Sequence, residues 1–154
     1  MKTFNQLINE CRETVHEIFP WDLNELMDND TPMLLLDVRE ADEFNAMHIR
    51  DSFHVPRGIL ETACEFGFAE TVPELAGDKN QKIVVICRSG NRSLLAAESL
   101  MTLGFKNVYS LQTGLRGWND YELPLYDIYD VPVDMDFADA FFSPTITTSQ
   151  MGGI

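Results

Sequence analysis

One short stretch of the chain, IVVICRSGNRS (83–93), combines residue types that could hold and activate a nucleophile. A branched apolar run ends at Cys87, a polar loop containing Gly90 follows, and an alanine- and leucine-rich segment begins near Ser93. In a parallel α/β sheet such a strand end faces the N-terminus of the next helix, where free backbone N–H groups stabilise negative charge. The stretch therefore predicts a cysteine held as a nucleophilic thiolate by loop amides.

The same loop carries two arginines, which suit it to anionic substrates. Arg88 and Arg92 supply permanently charged planar groups that match sulfonate-like or phosphate-like oxygens. Gly90 can adopt positive φ and lets the backbone come close to a bound anion. The alternative, a cysteine that serves only as a small buried apolar residue, explains neither the glycine nor the arginines. The predicted substrate-binding residues are Arg88, Ser89, Gly90, Asn91, Arg92 and Ser93.

The other two cysteines lack these surroundings. Cys11 lies on the apolar stripe of a predicted helix, and Cys64 has no basic residue close to it in sequence. Both are predicted to be packing residues. Three cysteines without paired spacing indicate neither a disulfide framework nor a metal-binding knuckle. We therefore expect a reducing, cytoplasmic setting.

Composition narrows the class of protein. A chain of 154 residues with 45% apolar content is long enough for one domain with a hydrophobic core. The formal net charge of −14 argues against nucleic acid or an anionic membrane surface as the main partner. No apolar stretch approaches the roughly 20 residues that a membrane-spanning helix needs. The first residues, MKTFNQLINE, lack the uninterrupted apolar core of a signal peptide.

Helical and extended patterns alternate along the chain. Helices are predicted over 4–18, from Pro20 onward, over 40–47, 59–66 and 93–103, and around Trp118; strands are predicted over 33–38, 52–56, 82–87 and 107–111. This alternation predicts an α/β fold in which helices flank both faces of a central parallel sheet.

The C-terminal segment differs in composition from the rest. Seven carboxylates and no lysine or arginine follow Arg116, so this segment accounts for half of the net charge of −14. Its prolines suggest a solvated, partly disordered tail. Its interleaved aromatic residues favour a second hypothesis, in which the tail packs on its own domain or on a partner, for example in a homodimer. The predicted organisation is an N-terminal amphipathic helix (1–20), a central domain (21–125) and an acidic, aromatic tail (126–154).

Four stretches in order resemble the single-domain rhodaneses, a family of sulfurtransferases. They are LLLDVREADEF (34–44), HIRDSFHVPRG (48–58), IVVICRSGNRS (83–93) and LGFKNVYSLQTGLRGW (103–118), and the resemblance covers roughly residues 20 to 125. The resemblance implies a sheet of about five parallel strands. It also implies that Cys87 is the catalytic cysteine that accepts a sulfane sulfur.

The resemblance further implies a double-displacement mechanism. Thiosulfate would bind with its sulfonate oxygens near Arg88 and Arg92, and the Cys87 thiolate would attack the outer sulfur and release sulfite. The resulting persulfide would pass its sulfur to cyanide or a thiol. The family requires no metal or organic cofactor.

Two alternatives stay open. In the first, the protein is a sulfur carrier or interaction module that receives sulfur on Cys87 from a partner enzyme, with the acidic tail docking a basic partner. In the second and weaker one, it is a cysteine-dependent phosphatase. Such phosphatases place five residues between cysteine and arginine, whereas four separate Cys87 from Arg92 here.

Three further positions match the family pattern as structural support for the site. Asp37 and Arg39 match its Asp-x-Arg and are interpreted as an ion pair that braces the loop region. His48 is interpreted as a hydrogen-bonded scaffold residue, because a thiolate that is already deprotonated needs no base.

Other positions depart from the family pattern. Glu43 stands where two-domain members have a substrate-binding arginine, and an acid facing the site would repel thiosulfate. The runs Met47–Asp51 and Thr113–Gly114 replace glycine-rich family sequences. We expect these loops to reshape the rim of the pocket.

Overall fold

The central element of the fold is a five-stranded sheet in which all neighbouring strands run parallel. A computed structural model describes residues 1–152 of the chain. The strands are β1 (His16–Ile18), β2 (Leu34–Asp37), β3 (Phe53–His54), β4 (Lys82–Ile86) and β5 (Asn107–Leu111). Their order across the sheet is β1-β5-β4-β2-β3. The predicted α/β class and parallel sheet are confirmed.

Eight helices connect and cover the strands within the described residues. They are α1 (Phe4–Thr14), α2 (Pro20–Asp28), α3 (Ala41–Ala46), α4 (Leu60–Ala63), α5 (Pro73–Ala76), α6 (Asn91–Thr102), α7 (Gly114–Asp120) and α8 (Met135–Phe142). A short 3-10 turn, Arg57–Ile59, precedes α4. The helices α5 and α8 were not predicted. In residues 1–152, none of the helices is both long and apolar enough to cross a membrane.

The strand β4 lies at the middle of the sheet and is buried on both faces. Ile83 and Val85 belong to one apolar core, together with residues of α1, α4 and α6. Val84 and Ile86 belong to a second core on the opposite face, together with residues of α2, α7 and α8. This alternation follows from the two-residue period of a strand. It leaves the carboxyl end of β4 as the place where Cys87 meets the loops.

The prediction of one N-terminal helix over 4–18 is wrong at its C-terminal end. The helix ends at Thr14, Val15 takes an extended backbone, and His16–Ile18 form an edge strand that pairs with β5. The apolar side chains of Val15 and Ile18 continue the helical spacing, so the sequence pattern alone does not separate the two structures. Pairing with β5 satisfies the backbone groups of this edge and decides between them.

The helix α8 packs on the domain from which the tail extends. The carboxylate of Asp134 accepts a hydrogen bond from the backbone N–H of Phe137 at 3.2 Å and so caps the helix. Ala138 and Phe142 are buried in the same core as Trp118. For Met135–Phe142 the structure therefore shows packing on the chain's own domain.

Polar contacts also tie the tail to the domain. The side-chain amide of Asn119 donates to the carboxylate of Asp139 at 2.6 Å. Upstream, the backbones of His48 and Tyr126 exchange two hydrogen bonds, at 2.9 and 2.8 Å, as an isolated antiparallel bridge. The tail is thereby joined both to α7 and to the loop that follows α3.

Candidate functional site

The sulfur of Cys87 lies at the head of α6 and is approached by two backbone amides. The residue is 1% exposed. Its Sγ accepts hydrogen bonds from the N–H of Gly90 at 3.1 Å and from the N–H of Ser93 at 3.3 Å. Gly90 has φ +94° and precedes α6, and Ser93 lies in the first turn of that helix. Because both donors point at one atom, this geometry stabilises negative charge on the sulfur.

The N-terminus of α7 explains why the loop amides turn toward the sulfur. The N–H groups of Leu115 and Arg116 donate to the carbonyls of Cys87 and Arg88, each at 2.9 Å. Those carbonyls therefore satisfy two of the free N–H groups that every helix start leaves. Gly114 permits this approach, since its φ is +61° and a Cβ there would lie 2.5 Å from the Arg88 carbonyl.

A pair of buried hydroxyls extends the hydrogen bonding around the sulfur. The Oγ of Ser93 lies 3.3 Å from the Sγ of Cys87 and 2.7 Å from the Oγ of Ser110 on β5. When Cys87 is a thiol, its S–H donates to the Ser93 hydroxyl. When the proton leaves, the same hydroxyl can rotate and donate to the sulfur, while Ser110 donates to Ser93.

Arg92 is held by Glu43 in a two-pronged ion pair. Its Nη1 and Nη2 each lie 2.9 Å from a carboxylate oxygen of Glu43. The hydrogen bond to Arg92 lowers the pKa of Glu43, and the same bond raises the pKa of Arg92. Glu43 therefore faces the site, which is the condition under which we expected it to repel thiosulfate. Its carboxylate is paired with Arg92.

Arg88 points to the tail. Its Nη2 donates to the main-chain carbonyl of Phe142, the last residue of α8, at 2.6 Å. A cation at a helix C-terminus is favourable, because the last carbonyls lack intrahelical donors. The first residue of the loop is therefore anchored by a helix of the acidic tail.

Asp37 and Arg39 form a fully buried ion pair beside the loop. Arg39 Nε and Nη2 lie 3.0 and 2.9 Å from the two Asp37 oxygens, and both side chains are 0% exposed. Arg39 Nη2 also donates to the carbonyl of Met47 at 2.7 Å. Asp37 pairs in register with Ile86, the residue before Cys87. We interpret the pair as a brace between the ends of β2 and β4 and the loop after α3.

His48 lies in a packing role. Its Nδ1 lies 2.8 Å from the carbonyl oxygen of Phe44, and its ring stacks on the Phe44 ring with centroids 4.0 Å apart. Because Nδ1 faces a carbonyl, that nitrogen carries the proton. These contacts, with the backbone bridge to Tyr126, agree with a scaffold residue.

The remaining loop residues lie apart from the sulfur. Ser89 is exposed and lines a groove of about 500 Å³ together with Trp21, Arg116 and Tyr121. Asn91 is half-buried at the first position of α6. Within residues 1–152 neither of these residues, nor Arg88 or Arg92, donates a hydrogen bond to the sulfur of Cys87. The predicted convergence of amides thus comes from Gly90 and Ser93.

Cys11 and Cys64 are buried, and among residues 1–152 no backbone N–H donates to either sulfur. Burial in the apolar core raises the pKa of Cys11 to about 11 and that of Cys64 to about 12. Nearby carboxylates, Glu98 for Cys11 and Glu61 for Cys64, add to the shift. Both thiols therefore stay protonated at neutral pH, as expected of packing residues.

Three contributors to the site lie outside the predicted set. They are the hydroxyl of Ser110, the missing side chain of Gly114 and the main-chain carbonyl of Phe142. A lone serine in a short strand carries no sequence signal of its partner. Asp134 is a signal that could have found α8, since it is an N-cap residue three positions before Phe137.

Comparisons with known proteins agree on one family. The family model described as "Rhodanese-like domain" matches residues 20–121. Thiosulfate sulfurtransferase GlpE of Actinobacillus pleuropneumoniae is 32% identical over 118 residues, which are 76% of this chain and 98% of that protein. YrkF of Bacillus subtilis, provisionally named a sulfur carrier protein, is 33% identical over 110 residues; these are 71% of this chain but only 54% of YrkF.

A solved structure shares the fold. RPA3614 of Rhodopseudomonas palustris, a protein of unknown function and possible tyrosine phosphatase, superposes with a TM-score of 0.74. The match covers 81% of this chain and 95% of that chain at 24% sequence identity. At this identity the likeness shows the fold alone.

Proposed function

The chain belongs to the rhodanese-like family, and we propose that it is a sulfurtransferase that carries a sulfane sulfur on Cys87. The observation that carries the proposal is the convergence of the Gly90 and Ser93 amides on Sγ. Two hydrogen-bond donors at a helix N-terminus favour the thiolate, which is the form that attacks sulfur. The same donors suit the negative charge of a cysteine persulfide.

The first half-reaction loads sulfur onto Cys87. The thiolate attacks the outer sulfur of thiosulfate or of a persulfide, and a new S–S bond forms. The old bond of the donor breaks, and its electron pair leaves with sulfite or with the donor thiolate. The loop amides supply fixed donors for the charge that then rests on the outer sulfur of Cys87.

The second half-reaction regenerates the cysteine. Cyanide or a thiolate attacks the outer sulfur, the S–S bond to Cys87 breaks, and its electron pair returns to Sγ. No net oxidation or reduction of the protein remains after both steps. Ser93 and Ser110 can follow the changing charge because a hydroxyl reorients without moving its heavy atom.

The decisive test replaces the nucleophile. Cys87→Ser is expected to reduce thiosulfate:cyanide turnover by at least about 1,000-fold, because removing a covalent nucleophile removes the pathway itself. Incubation with thiosulfate should add about 32 Da, one sulfur atom, to the wild-type protein at Cys87 by peptide mass spectrometry. The matched control is Cys64→Ser, which changes another buried cysteine and should keep both turnover and the adduct. Retained activity in Cys87→Ser would refute the site.

A second candidate function is a sulfur carrier that receives its sulfur from a partner protein. The similarity to YrkF and the acidic surface of the tail favour it, and Ile128, Tyr129 and Phe137 of that tail are exposed. Stoichiometric persulfide loading with slow steady-state turnover would assign the carrier role. Rapid turnover with thiosulfate and cyanide would assign the enzyme. A homodimer through the tail and a cytoplasmic location stay predictions.

Phosphatase activity is the weaker alternative. The loop is one residue shorter than such enzymes use, and the guanidinium that would clamp a phosphate is paired with Glu43. We expect no hydrolysis of p-nitrophenyl phosphate above the level of the Cys87→Ser variant.

A further inference from the structure

Both arginines of the Cys87 loop are engaged by partners of the same chain. Arg92 makes two 2.9 Å contacts with Glu43, and Arg88 makes one 2.6 Å contact with the Phe142 carbonyl. A sulfonate group that binds at the loop has to compete with these partners. A donor without a sulfonate has no such competition to overcome.

Glu43 is itself held in place at the start of α3. Its Oε2 accepts the backbone N–H of Glu40 at 3.0 Å while the same oxygen contacts Nη1 of Arg92. The Glu43 side chain is 20% exposed, so water screens the pair only in part. In the second ion pair of the site, Asp37 takes Nε and Nη2 of Arg39, while Nη1 is buried without a hydrogen-bond partner among residues 1–152. Carboxylates therefore already take the Nη1–Nη2 face of Arg92 and the Nε–Nη2 face of Arg39.

We propose that Glu43 is a specificity-determining residue that makes the Cys87 site select organic persulfides, R–S–SH, over thiosulfate. This inference rests on the proposed function, namely that Cys87 accepts a sulfane sulfur. Thiosulfate carries two negative charges and releases sulfite, which also carries two. Both species need a cation, and the terminal nitrogens of Arg92 are already paired with Glu43.

An organic persulfide needs less positive charge in the site than thiosulfate does. The Cys87 thiolate attacks its outer sulfur, the S–S bond of the donor breaks, and the electron pair leaves on R–S⁻. The proton of the outer sulfur passes to that thiolate, so the products are R–SH and the Cys87 persulfide anion. The Gly90 and Ser93 amides accommodate the single charge that remains.

The test compares donors in Glu43→Gln. Glutamine keeps an oxygen for the Glu40 N–H, so the start of α3 is preserved, but it removes the charge that holds Arg92. The KM for thiosulfate should fall by about tenfold, the effect of freeing one charged contact. The rate of Cys87 loading from cysteine persulfide should change less than about twofold. Glu43→Asp, which keeps the charge on a shorter side chain, should give an intermediate KM.

Asp42→Asn is the matched control. Asp42 lies one position earlier in α3, is exposed, and loses the same charge without touching Arg92. Its KM for thiosulfate should equal that of the wild type. An equal fall in both variants would assign the effect to overall charge and overturn the inference. An unchanged thiosulfate KM in Glu43→Gln, with a wild-type circular dichroism melt, would also overturn it.

Loading experiments with different sulfur donors distinguish a failure of this inference from a failure of the proposed function. Wild-type protein is loaded from thiosulfate, from cysteine persulfide and from a persulfidated single-cysteine protein, and the adduct at Cys87 is followed by mass spectrometry. Faster loading from either persulfide than from thiosulfate supports the inference, and the faster of the two identifies the source as a small thiol or a protein. Loading that is fastest from thiosulfate overturns the role of Glu43 alone. No loading from any donor overturns the proposed function.

Discussion

Cys87 and Cys64 are buried to the same degree, yet their sulfur atoms lie in opposite chemical surroundings. The two residues are 1% and 0% exposed and belong to the same apolar core. The sulfur of Cys87 accepts two backbone N–H groups. Cys64 is the C-terminal cap of α4, and among residues 1–152 no backbone N–H donates to its sulfur.

The difference shows that burial alone makes an inert thiol. At Cys64, removal from water penalises the thiolate and raises the pKa to about 12. At Cys87 the same burial is accompanied by donors that α6 and the loop aim at the sulfur. The two cysteines therefore differ in the backbone around them. At Cys87 this backbone is held by hydrogen bonds from the N-terminus of α7.

The strongest way to break this distinction is to displace that backbone. Gly114→Ala would place a Cβ 2.5 Å from the carbonyl carbon and oxygen of Arg88 at a φ of +61°. We expect a loss of about 3 kcal/mol in the free energy of unfolding, combining left-handed strain with overpacking. Persulfide formation at Cys87 should fall at least about 100-fold as the amides shift, a loss of about 3 kcal/mol in transition-state stabilisation. Urea unfolding and stopped-flow loading measure the two effects.

Gly58→Ala is the control for Gly114→Ala. Within the described part of the chain, residues 1–152, a Cβ at Gly58 would meet nothing within 4 Å. This variant should stay within about 0.5 kcal/mol of the wild type in stability and keep its loading rate. A Gly114→Ala protein that loads sulfur normally would show that α7 does not set the loop.

The part of the site that could be predicted from sequence is the part whose signal is local. The run that forms β4, the cysteine, Gly90 and the start of α6 lie within a dozen residues, so the loop could be identified directly. The partners of its arginines lie 49 and 54 residues away, at Glu43 and Phe142. No propensity or spacing connects positions that far apart.

The errors in the fold have the same cause. His16–Ile18 become a strand only because β5 offers an open edge, and their apolar spacing is compatible with a continued helix. The helix α8 lies among prolines and aspartates that suggest a solvated segment. Its aromatic residues predicted packing on the domain or on a partner, but the helix itself depends on burial of Ala138 and Phe142 against a core that is distant in sequence.

Removing the Ser93 hydroxyl tests a smaller contribution to the surroundings of the Cys87 sulfur. Ser93→Ala keeps the backbone N–H on the sulfur but deletes the group that joins Sγ to Ser110. We expect sulfur loading to slow about three- to tenfold and the free energy of unfolding to fall by about 1 to 2 kcal/mol, because the Ser110 hydroxyl is left unpaired. Rapid-quench loading and urea unfolding give the two values.

Ser110→Ala is the matched change. It removes the hydroxyl that contacts Ser93 and does not contact the sulfur. It should cost similar stability but leave loading within about twofold, since Ser93 still contacts Sγ. The double variant should lose less stability than the sum of the single ones, because neither hydroxyl is then left alone. Equal slowing of loading in both single variants would show that the effect is structural and not exerted on the sulfur.

The smallest effect concerns Cys64 and appears only at alkaline pH. The pKa of its thiol is about 12 in the folded protein and near the ordinary value of 9.0 in the unfolded chain. Below about pH 8 both states hold the proton, so this thiol does not change the free energy of unfolding. As pH rises from about 8 toward 12 the unfolded state loses its proton first, so the contribution of Cys64 to the free energy of unfolding declines, by no more than about 1.4 kcal/mol per pH unit.

Cys64→Ala removes this group from the titration while Cys11, with a pKa of about 11, stays in both proteins. The stability advantage of the wild type over Cys64→Ala, measured by urea unfolding, should therefore shrink between pH 8.5 and 10.5. The same pH change should leave the difference between Gly58→Ala and the wild type constant, because no titrating group changes there. A wild-type advantage over Cys64→Ala that does not depend on pH would mean that the Cys64 thiol is as easily ionised in the fold as in the unfolded chain. Cys64 and Cys87 would then differ in how easily a sulfur donor reaches them, and not in how well the protein stabilises charge on their sulfur atoms.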